Sequence, residues 1–247
     1  MPGTPIGWRA RYRARRHTVL LIAIIVAFAA RPLIGDAGVG PIVFSLAILG
    51  VLMIALLTMQ VDDLVGEHDR LVAQRKRRML IGWALAVPAV VERLLMLFSP
   101  SRTLLFIGTI GWAVFFAFVT MSQLRSVLKQ RSVTSETIAN AISVYLLIGL
   151  TWGIVYVLIF QLDPQAFSFG SSAPPTLPNA FPDLIYFSMT TLSTIGFGDI
   201  TPVSLQARYI AVSEGITGQL YLAILVARLV GMQMSNPLPH HGGDSID

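Results

Sequence analysis

Cysteine is absent from the 247 residues, and charged residues make up only 13% of them. Without cysteine the chain cannot form a disulfide, a thiolate metal site or a cysteine nucleophile. Soluble domains carry about 25% charged residues, so the low charge and the 54% hydrophobic content predict an integral membrane protein. No nucleophile–base pair or cluster of metal ligands occurs at a useful spacing, so the sequence predicts neither an enzyme nor a resident cofactor. Glu136 and His68 are isolated in the sequence and are expected to be solvated.

The net charge of +5 would suit a nucleic-acid partner, but its distribution argues against one. The basic residues lie in short groups between apolar runs, where the loops of membrane proteins place them. The expected surroundings are therefore a lipid bilayer.

Six apolar stretches approach the roughly 20 residues that a membrane-spanning helix needs. They cover about residues 18–34, 40–60, 79–98, 103–123, 139–161 and 206–232. A seventh helical stretch, about 182–194, is too short to span and is predicted to be re-entrant. The predicted fold class is an all-α integral membrane protein with six transmembrane helices and one re-entrant helix.

The first stretch follows an arginine-rich start and could also be a signal peptide cleaved after Ala27-Phe28-Ala29. We expect a retained helix, because the apolar stretch continues beyond that point to Ile34.

Basic residues set the predicted orientation. Most of them fall on one side of the six-span arrangement: Arg9, Arg11, Arg13, Arg15, Arg16, Arg70, Arg75, Lys76, Arg77, Arg78, Arg125, Lys129, Arg131 and Arg228. The positive-inside rule then places both termini in the cytoplasm, in a plasma or inner membrane. The connection between the fifth and sixth spans enters the membrane from outside.

The spans and charges divide the chain into five parts. These are a basic N-terminal segment 1–17, a four-helix transmembrane domain 18–123, a linker 124–138, a second membrane domain 139–232 and a cytoplasmic tail 233–247. The spacing of apolar and basic residues predicts that the linker is an amphipathic helix on the inner membrane surface. The alternative is a frayed end of the fourth span. Residues 162–181, rich in proline, glycine and serine, are predicted to be an irregular external loop.

Residues 194–199 read Thr-Ile-Gly-Phe-Gly-Asp, a spacing that suits a strand with all its carbonyls on one side. Alternate residues must then adopt unusual φ/ψ values, which Gly196 and Gly198 reach without a steric penalty. Pro182 and Asp183 suit the first turn of a preceding helix, whose negative C-terminal end would stabilise a cation below the strand. Asp199 would attract cations at the outer end of this strand.

The last span carries two glycines, a group of apolar side chains and an acid, Glu214, that could matter for function. Gly215 and Gly218 weaken its helix and serve either as a hinge or for close helix packing. The side chains below them could form an apolar constriction or a lipid or helix contact face: Leu222, Leu225, Val226 and Leu229.

Glu214 is an acid inside an apolar span, where it costs about 2.5–3.5 kcal/mol and needs a partner or a function. The expected role is to brace the re-entrant helix through a hydroxyl, or to stay protonated. The alternative places several carboxylates near an ion path.

The stretch from Phe181 to Pro202 resembles the pore loop of tetrameric potassium channels, and residues 139–232 resemble their pore domain. The resemblance implies a homotetramer that conducts potassium ions as cargo, bound by the backbone of Thr194, Ile195, Gly196, Phe197 and Gly198. It also places Gly218 at the family's inner-helix glycine. One filter strand per chain by itself requires several copies around an axis.

Two departures qualify the resemblance. Phe197 stands where tyrosine is commoner in the family. Residues 103–124 contain no Arg or Lys, so the fourth span lacks the arginine ladder of voltage-gated relatives. We therefore expect a potassium-selective channel without strong voltage gating. The alternatives are a weakly selective cation channel and a non-conducting scaffold or regulatory subunit; a transporter would carry several pore loops in one chain.

Overall fold

The computed structural model describes residues 15–34, 40–64, 79–88, 101–130, 132–170 and 180–234, and a few single positions between them. The helices are α1 (Arg16–Ile34), α2 (Gly40–Leu64), α3 (Arg102–Lys129), α4 (Ser135–Leu162), α5 (Ala180–Leu192) and α6 (Leu205–Met234). A short apolar helix, Met79–Pro88, lies between α2 and α3. The strands β1 (Phe167–Ser168) and β2 (Thr201–Pro202) lie on either side of α5 in the sequence.

Within the described residues, four helices are long and apolar enough to cross a membrane: α1, α3, α4 and α6. The part of α2 from Val43 to Thr58 and the helix Met79–Pro88 are also apolar but shorter. The expected spans at 40–60 and 79–98 therefore remain predictions, since part of the second lies outside the described residues. Helix α1 is continuous through residues 27–29 and packs against α2 and α4.

The junction between α3 and α4 differs from the sequence expectation. Residues 124–129 continue α3 without a break and do not form a separate helix. The position of the linker 124–138 on the membrane surface stays a prediction. Helix α4 begins at Ser135 because Thr134 caps it. The Thr137 backbone N–H donates to Thr134 Oγ1 at 3.2 Å, and the Thr134 N–H donates to Thr137 Oγ1 at 3.3 Å.

Glu136 joins the first turn of α4 to the start of α1. Its carboxylate accepts from the backbone N–H groups of His17, at 2.9 Å, and Thr18, at 3.4 Å, and from the Thr18 hydroxyl. These amides would otherwise be unsatisfied, since the first four N–H groups of a helix have no partner within it. Sequence reasoning that treated Glu136 as an isolated, solvated acid was wrong.

Neutral polar pairs link the helices where the arginine ladder of a voltage sensor is missing. Gln123 on α3 donates to Thr58 Oγ1 on α2 at 2.7 Å. Thr120 on α3 pairs with Thr151 on α4 at 2.8 Å. Such hydrogen bonds hold helices together inside a membrane, where water cannot compete for the groups.

The stretch between α4 and α5 is not entirely irregular, which corrects the expectation for residues 162–181. Strands β1 and β2 pair antiparallel, with Phe167 opposite Pro202 and Ser168 opposite Thr201. The Val203 N–H also donates to the Ala166 carbonyl at 2.7 Å. The segment that follows the predicted filter is thereby tied to the end of α4.

Several sequence predictions fall on residues outside the described ranges. They include most of the basic N-terminal segment, the basic connection 65–78 apart from Arg77, and the tail beyond Met234.

Candidate functional site

Helix α5, the predicted re-entrant helix, lies close against α4. Two glycines of α4 make this possible. A Cβ at Gly149 would lie 2.8 Å from the Met189 side chain, and a Cβ at Gly153 would lie 3.1 Å from the Ile185 Cα. Small residues four apart let two helix backbones approach closely. The short apolar helix therefore stays fixed although it has only 13 residues.

The chain turns sharply where α5 ends. The Thr194 N–H donates to the Thr191 carbonyl at 3.0 Å. The N–H groups of Ile195 and Gly196 both donate to the Thr190 carbonyl, at 2.9 and 3.2 Å. These bonds satisfy carbonyls of the last helical turn and set the direction in which the next residues leave it.

The backbone of the predicted filter alternates between two conformations. Thr194, Gly196 and Gly198 have φ values of +59°, +54° and +79°, in the left-handed region. The residues between them do not have positive φ. This alternation over 194–198 is the pattern expected for carbonyls that face one side, and it includes a threonine that pays the cost of a Cβ.

The outer part of this segment is supported by aromatic and backbone contacts. The Tyr186 ring on α5 stacks on Phe197 with 6.4 Å between the centroids and 1° between the planes. The Tyr186 hydroxyl lies near the Asp199 carboxylate. Gly170 has φ +60°, and a Cβ there would lie 3.3 Å from the Asp199 carbonyl. Asp199 itself is exposed, as its expected place at an outer mouth requires.

Glu214 meets α5 and α4 in the interior of the chain. Its carboxyl group is fully buried and lies 2.5 Å from Ser188 Oγ and 2.5 Å from the Tyr156 hydroxyl. The Ser188 hydroxyl also lies 2.6 Å from the Gly149 carbonyl of α4. Glu214 therefore contacts the hydroxyl on the re-entrant helix that the bracing interpretation required.

The two glycines of α6 occupy different surroundings. A Cβ at Gly218 would lie 2.6 Å from the Leu192 carbonyl, at the C-terminal end of α5. At Gly215 the nearest atom to such a Cβ is the Thr191 carbonyl, 4.0 Å away. Close packing is therefore a sufficient reason for Gly218, whereas the surroundings of Gly215 leave room for a methyl group.

The four side chains considered for a constriction differ in exposure: Leu225 and Leu229 are half-buried. Leu222 and Val226 are exposed in the single chain, at 37% and 58%. Leu225 packs instead against a cluster that contains Val127 and Val144. Of the four, Leu225 is thus part of the packing within the chain, and Leu222 and Val226 remain the candidates for a gate.

Sequence reasoning missed several side chains that hold this site. The Tyr145 hydroxyl donates to the Leu192 carbonyl at 3.0 Å, and the Tyr221 hydroxyl donates to the Ala141 carbonyl at 2.7 Å. The two tyrosine rings stack at 6.0 Å. A tyrosine in an otherwise apolar span needs a partner for its hydroxyl, and this was the available signal.

Arg228 was counted only as a charge for orientation, but it caps α3. Its guanidinium donates to the carbonyls of Val127, Leu128 and Gln130 at 2.8, 2.6 and 2.7 Å. The last carbonyls of a helix lack partners within it and attract a cation. The end of α6 is thereby joined to the α3–α4 junction.

Comparison with known proteins places this site in a family. Residues 144–234 match the family model described as ion channel. The chain is 43% identical over 63 residues to two pore potassium channel c of Oryza sativa subsp. japonica, covering 26% of this chain and 13% of that protein. It is 33% identical over 88 residues to protein LctB of Bacillus caldotenax, covering 35% of this chain and 64% of that protein.

A viral relative is covered over more of its length. The chain is 36% identical over 64 residues to potassium channel protein kcv of Paramecium bursaria Chlorella virus 1, covering 26% of this chain and 68% of that protein. The matches to the rice and Bacillus proteins cover less than two thirds of the length of those proteins. The family-model match includes α5, the left-handed alternation and α6. By its likeness to the viral protein the chain belongs to the potassium channel family.

Proposed function

We propose that four copies of this chain form a potassium-selective channel, with residues 194–198 of each copy around a common axis. Potassium ions, the cargo, bind between rings of carbonyl oxygens from Thr194, Ile195, Gly196 and Phe197. Such rings replace the water that a potassium ion loses on entry. The single observation that carries the proposal is the alternation of left-handed φ values at 194, 196 and 198.

The exposure of the filter supports an assembly of several chains. Ile195 and Phe197 are 57% and 68% exposed in one chain, although both are apolar and lie in a membrane protein. An apolar filter side chain is normally covered, and neighbouring copies would cover it here. Closed rings in soluble and membrane proteins are built by rotation symmetry, which one filter strand per chain requires.

The end of α5 supports cation binding at the same place. Its last carbonyls point toward the start of the filter, where the Thr190 and Thr191 carbonyls accept from residues 194–196. A helix C-terminus carries a partial negative charge of about half an elementary charge. Four such ends around one axis would stabilise a cation below the filter.

The proposed topology has six spans and cytoplasmic termini. The conductance of the proposed channel depends only weakly on voltage. Strong voltage gating uses about 3–4 charges per subunit inside the membrane. Helix α3 has its basic residues near its two ends, at Arg102, Arg125 and Lys129, and none between them. The neutral pairs of Thr120 and Gln123 occupy its interior.

Ion flux into liposomes tests the proposal. We expect purified protein to pass potassium down its gradient, to be blocked by barium, and to pass far less sodium. A reversal potential that stays the same when sodium replaces potassium would establish a weakly selective cation channel instead. Absence of any barium-sensitive flux from correctly folded protein would favour a scaffold or regulatory subunit.

A further inference from the structure

Three short contacts meet around Glu214, and they join three helices. Glu214 on α6 lies 2.5 Å from Ser188 Oγ on α5 and 2.5 Å from the Tyr156 hydroxyl on α4. Ser188 Oγ lies 2.6 Å from the Gly149 carbonyl on α4. All of the side chains in this group are fully buried, so water does not supply a missing donor.

The number of protons in this group decides its charge. Three oxygen–oxygen contacts of hydrogen-bond length need three protons. The hydroxyls of Tyr156 and Ser188 supply one each, and a backbone carbonyl supplies none. If Ser188 donates to Gly149, the contact between Ser188 and Glu214 needs a proton from the carboxyl group itself.

The surroundings of Glu214 favour the same state. The titratable groups that face it within the described residues are Tyr156 and Tyr145, both on α4. Neither tyrosine is charged near neutral pH, and α5 faces it with the neutral Ser188. A buried carboxylate without a cationic partner is expensive, and a buried acid that keeps its proton avoids this cost.

We propose that Glu214 is held as a neutral carboxylic acid, whose own proton completes a hydrogen-bonded clamp between α4, α5 and α6. Tyr156 donates to Glu214, Glu214 donates to Ser188, and Ser188 donates to the Gly149 carbonyl. Glu214 is thus a positioning residue: it acts on the filter through Ser188 and α5. This inference rests on the proposed function for its effect on conduction, but the protonation of Glu214 does not.

Loss of the proton would change the clamp in a defined way. The carboxylate would accept from both hydroxyls, so Ser188 would release the Gly149 carbonyl and a negative charge would remain buried. Helix α5 would then lose the Ser188–Gly149 hydrogen bond to α4, while the bond from Tyr145 to the Leu192 carbonyl would remain. Because α5 leads directly into Thr194, we expect the filter to conduct less well as pH rises.

Infrared spectroscopy detects directly whether the Glu214 carboxyl group is protonated. We expect the purified protein at neutral pH to show a carboxylic acid C=O stretch that shifts in heavy water and is missing from Glu214→Gln. The matched control is Glu136→Gln. Glu136 accepts from two N–H groups and a hydroxyl, so it needs no proton of its own, and this variant should keep the band.

Potassium flux measures the effect of the Glu214 clamp on conduction. Glutamine can donate to Ser188 and accept from Tyr156, as a neutral acid does. The potassium flux of Glu214→Gln should therefore stay within about twofold of that of the parent. Glu214→Leu loses both contacts and should conduct about tenfold less, because the Tyr156 hydroxyl and Ser188 Oγ each lose a buried hydrogen-bond partner. Flux of the parent should fall at alkaline pH, and flux of Glu214→Gln should not.

Each result separates the two proposals. If the band is absent from the parent, or is unchanged in Glu214→Gln, the neutral acid is disproved whatever the flux. If folded Glu214→Gln conducts no better than Glu214→Leu, the donor–acceptor clamp is disproved. If the parent conducts no potassium at all, the proposed function fails, and the infrared band still decides the state of Glu214.

Discussion

Helices α4 and α6 are nearly equal in length, with 28 and 30 residues, and both are apolar. Fifteen residues of α4 are buried within the chain, whereas the buried residues of α6 are Ala207, Glu214 and Gly218. None of these three is a large apolar side chain. Within the single chain α6 is therefore held by close approach at Gly218 and by polar contacts of Glu214, Tyr221 and Arg228. Most of its apolar surface is left for contacts with lipid or other copies.

The proposed filter is exposed like most of α6; this exposed surface is the open side of the chain, and the surface where α6 meets α5 is the closed side. Residues 194–199 are exposed, like most of α6, while α5 behind them is largely buried. A side chain on the open side can thus be changed without disturbing the chain's own fold. A change on the closed side of α6, where it meets α5, should disturb that fold directly. The predictions below test this distinction, beginning with the largest effect.

Gly196→Ala or Gly198→Ala should abolish potassium flux without preventing assembly. At both positions nothing lies within 4 Å of an added Cβ, so the cost is the positive φ and not a clash. That cost is about 1–2 kcal/mol per residue and is repeated in every copy around the pore. Liposome flux and thermal unfolding should be measured together. The control is Gly111→Ala, an α3 position that also has open space around it.

A variant at either filter glycine that conducts like the parent would contradict the filter assignment. A large loss of thermal stability in the single chain would contradict the open-side interpretation.

Ala227→Trp should weaken the oligomer. Ala227 is exposed on α6, and a bulky side chain there would overpack a contact with another copy, at a cost of about 1–3 kcal/mol. The control is Ala29→Trp on α1, which is also exposed in the chain. Chemical cross-linking in membranes should show fewer tetramers for the first variant alone. Equal tetramer yields for both variants would mean that this face of α6 contacts lipid.

Gly218→Ala should destabilise the chain itself, by about 1–3 kcal/mol, because its Cβ would lie 2.6 Å from the Leu192 carbonyl. Gly215→Ala is the matched control, since its nearest neighbour lies at 4.0 Å. Thermal unfolding of the purified protein compares them. If the two variants unfold alike but both alter channel opening, the glycines act as a hinge and close packing is not the reason for Gly218.

The smallest expected effect is the response to voltage. Because α3 carries basic residues only near its ends, the conductance should change little between negative and positive potentials. Bilayer recordings in symmetrical potassium measure this. A steep conductance–voltage curve would show that a charge outside the described residues, such as Arg93, moves across the membrane field.

The local features of the site were predictable from the sequence. Residues 180–192 form the expected short helix, with Asp183 in its first turn. Left-handed φ values occur at both filter glycines. Such features depend on neighbouring residues, because the conformational range of glycine and the capping of a helix end are local properties.

Contacts between distant residues were predictable only in part. The acid at 214 was expected to find a hydroxyl, but its two partners, 26 and 58 residues away in sequence, could not be named. Glu136 was misjudged because its partners at the start of α1 are 118 and 119 residues away. The β1–β2 pair was missed because two-residue strands leave no alternating pattern.

The sequence by itself determined that this chain enters a membrane, because long apolar runs are a local property of the sequence. It also determined that the backbone of residues 194–199 can turn its carbonyls to one side, because the glycine spacing permits the required φ values. Only the tertiary structure decided why Gly218 is small, what Arg228 caps and how Glu214 is satisfied. These depend on which helices touch and at what depth. In an interior without water an unpaired buried acid is costly, and Glu214 finds its partners on two other helices.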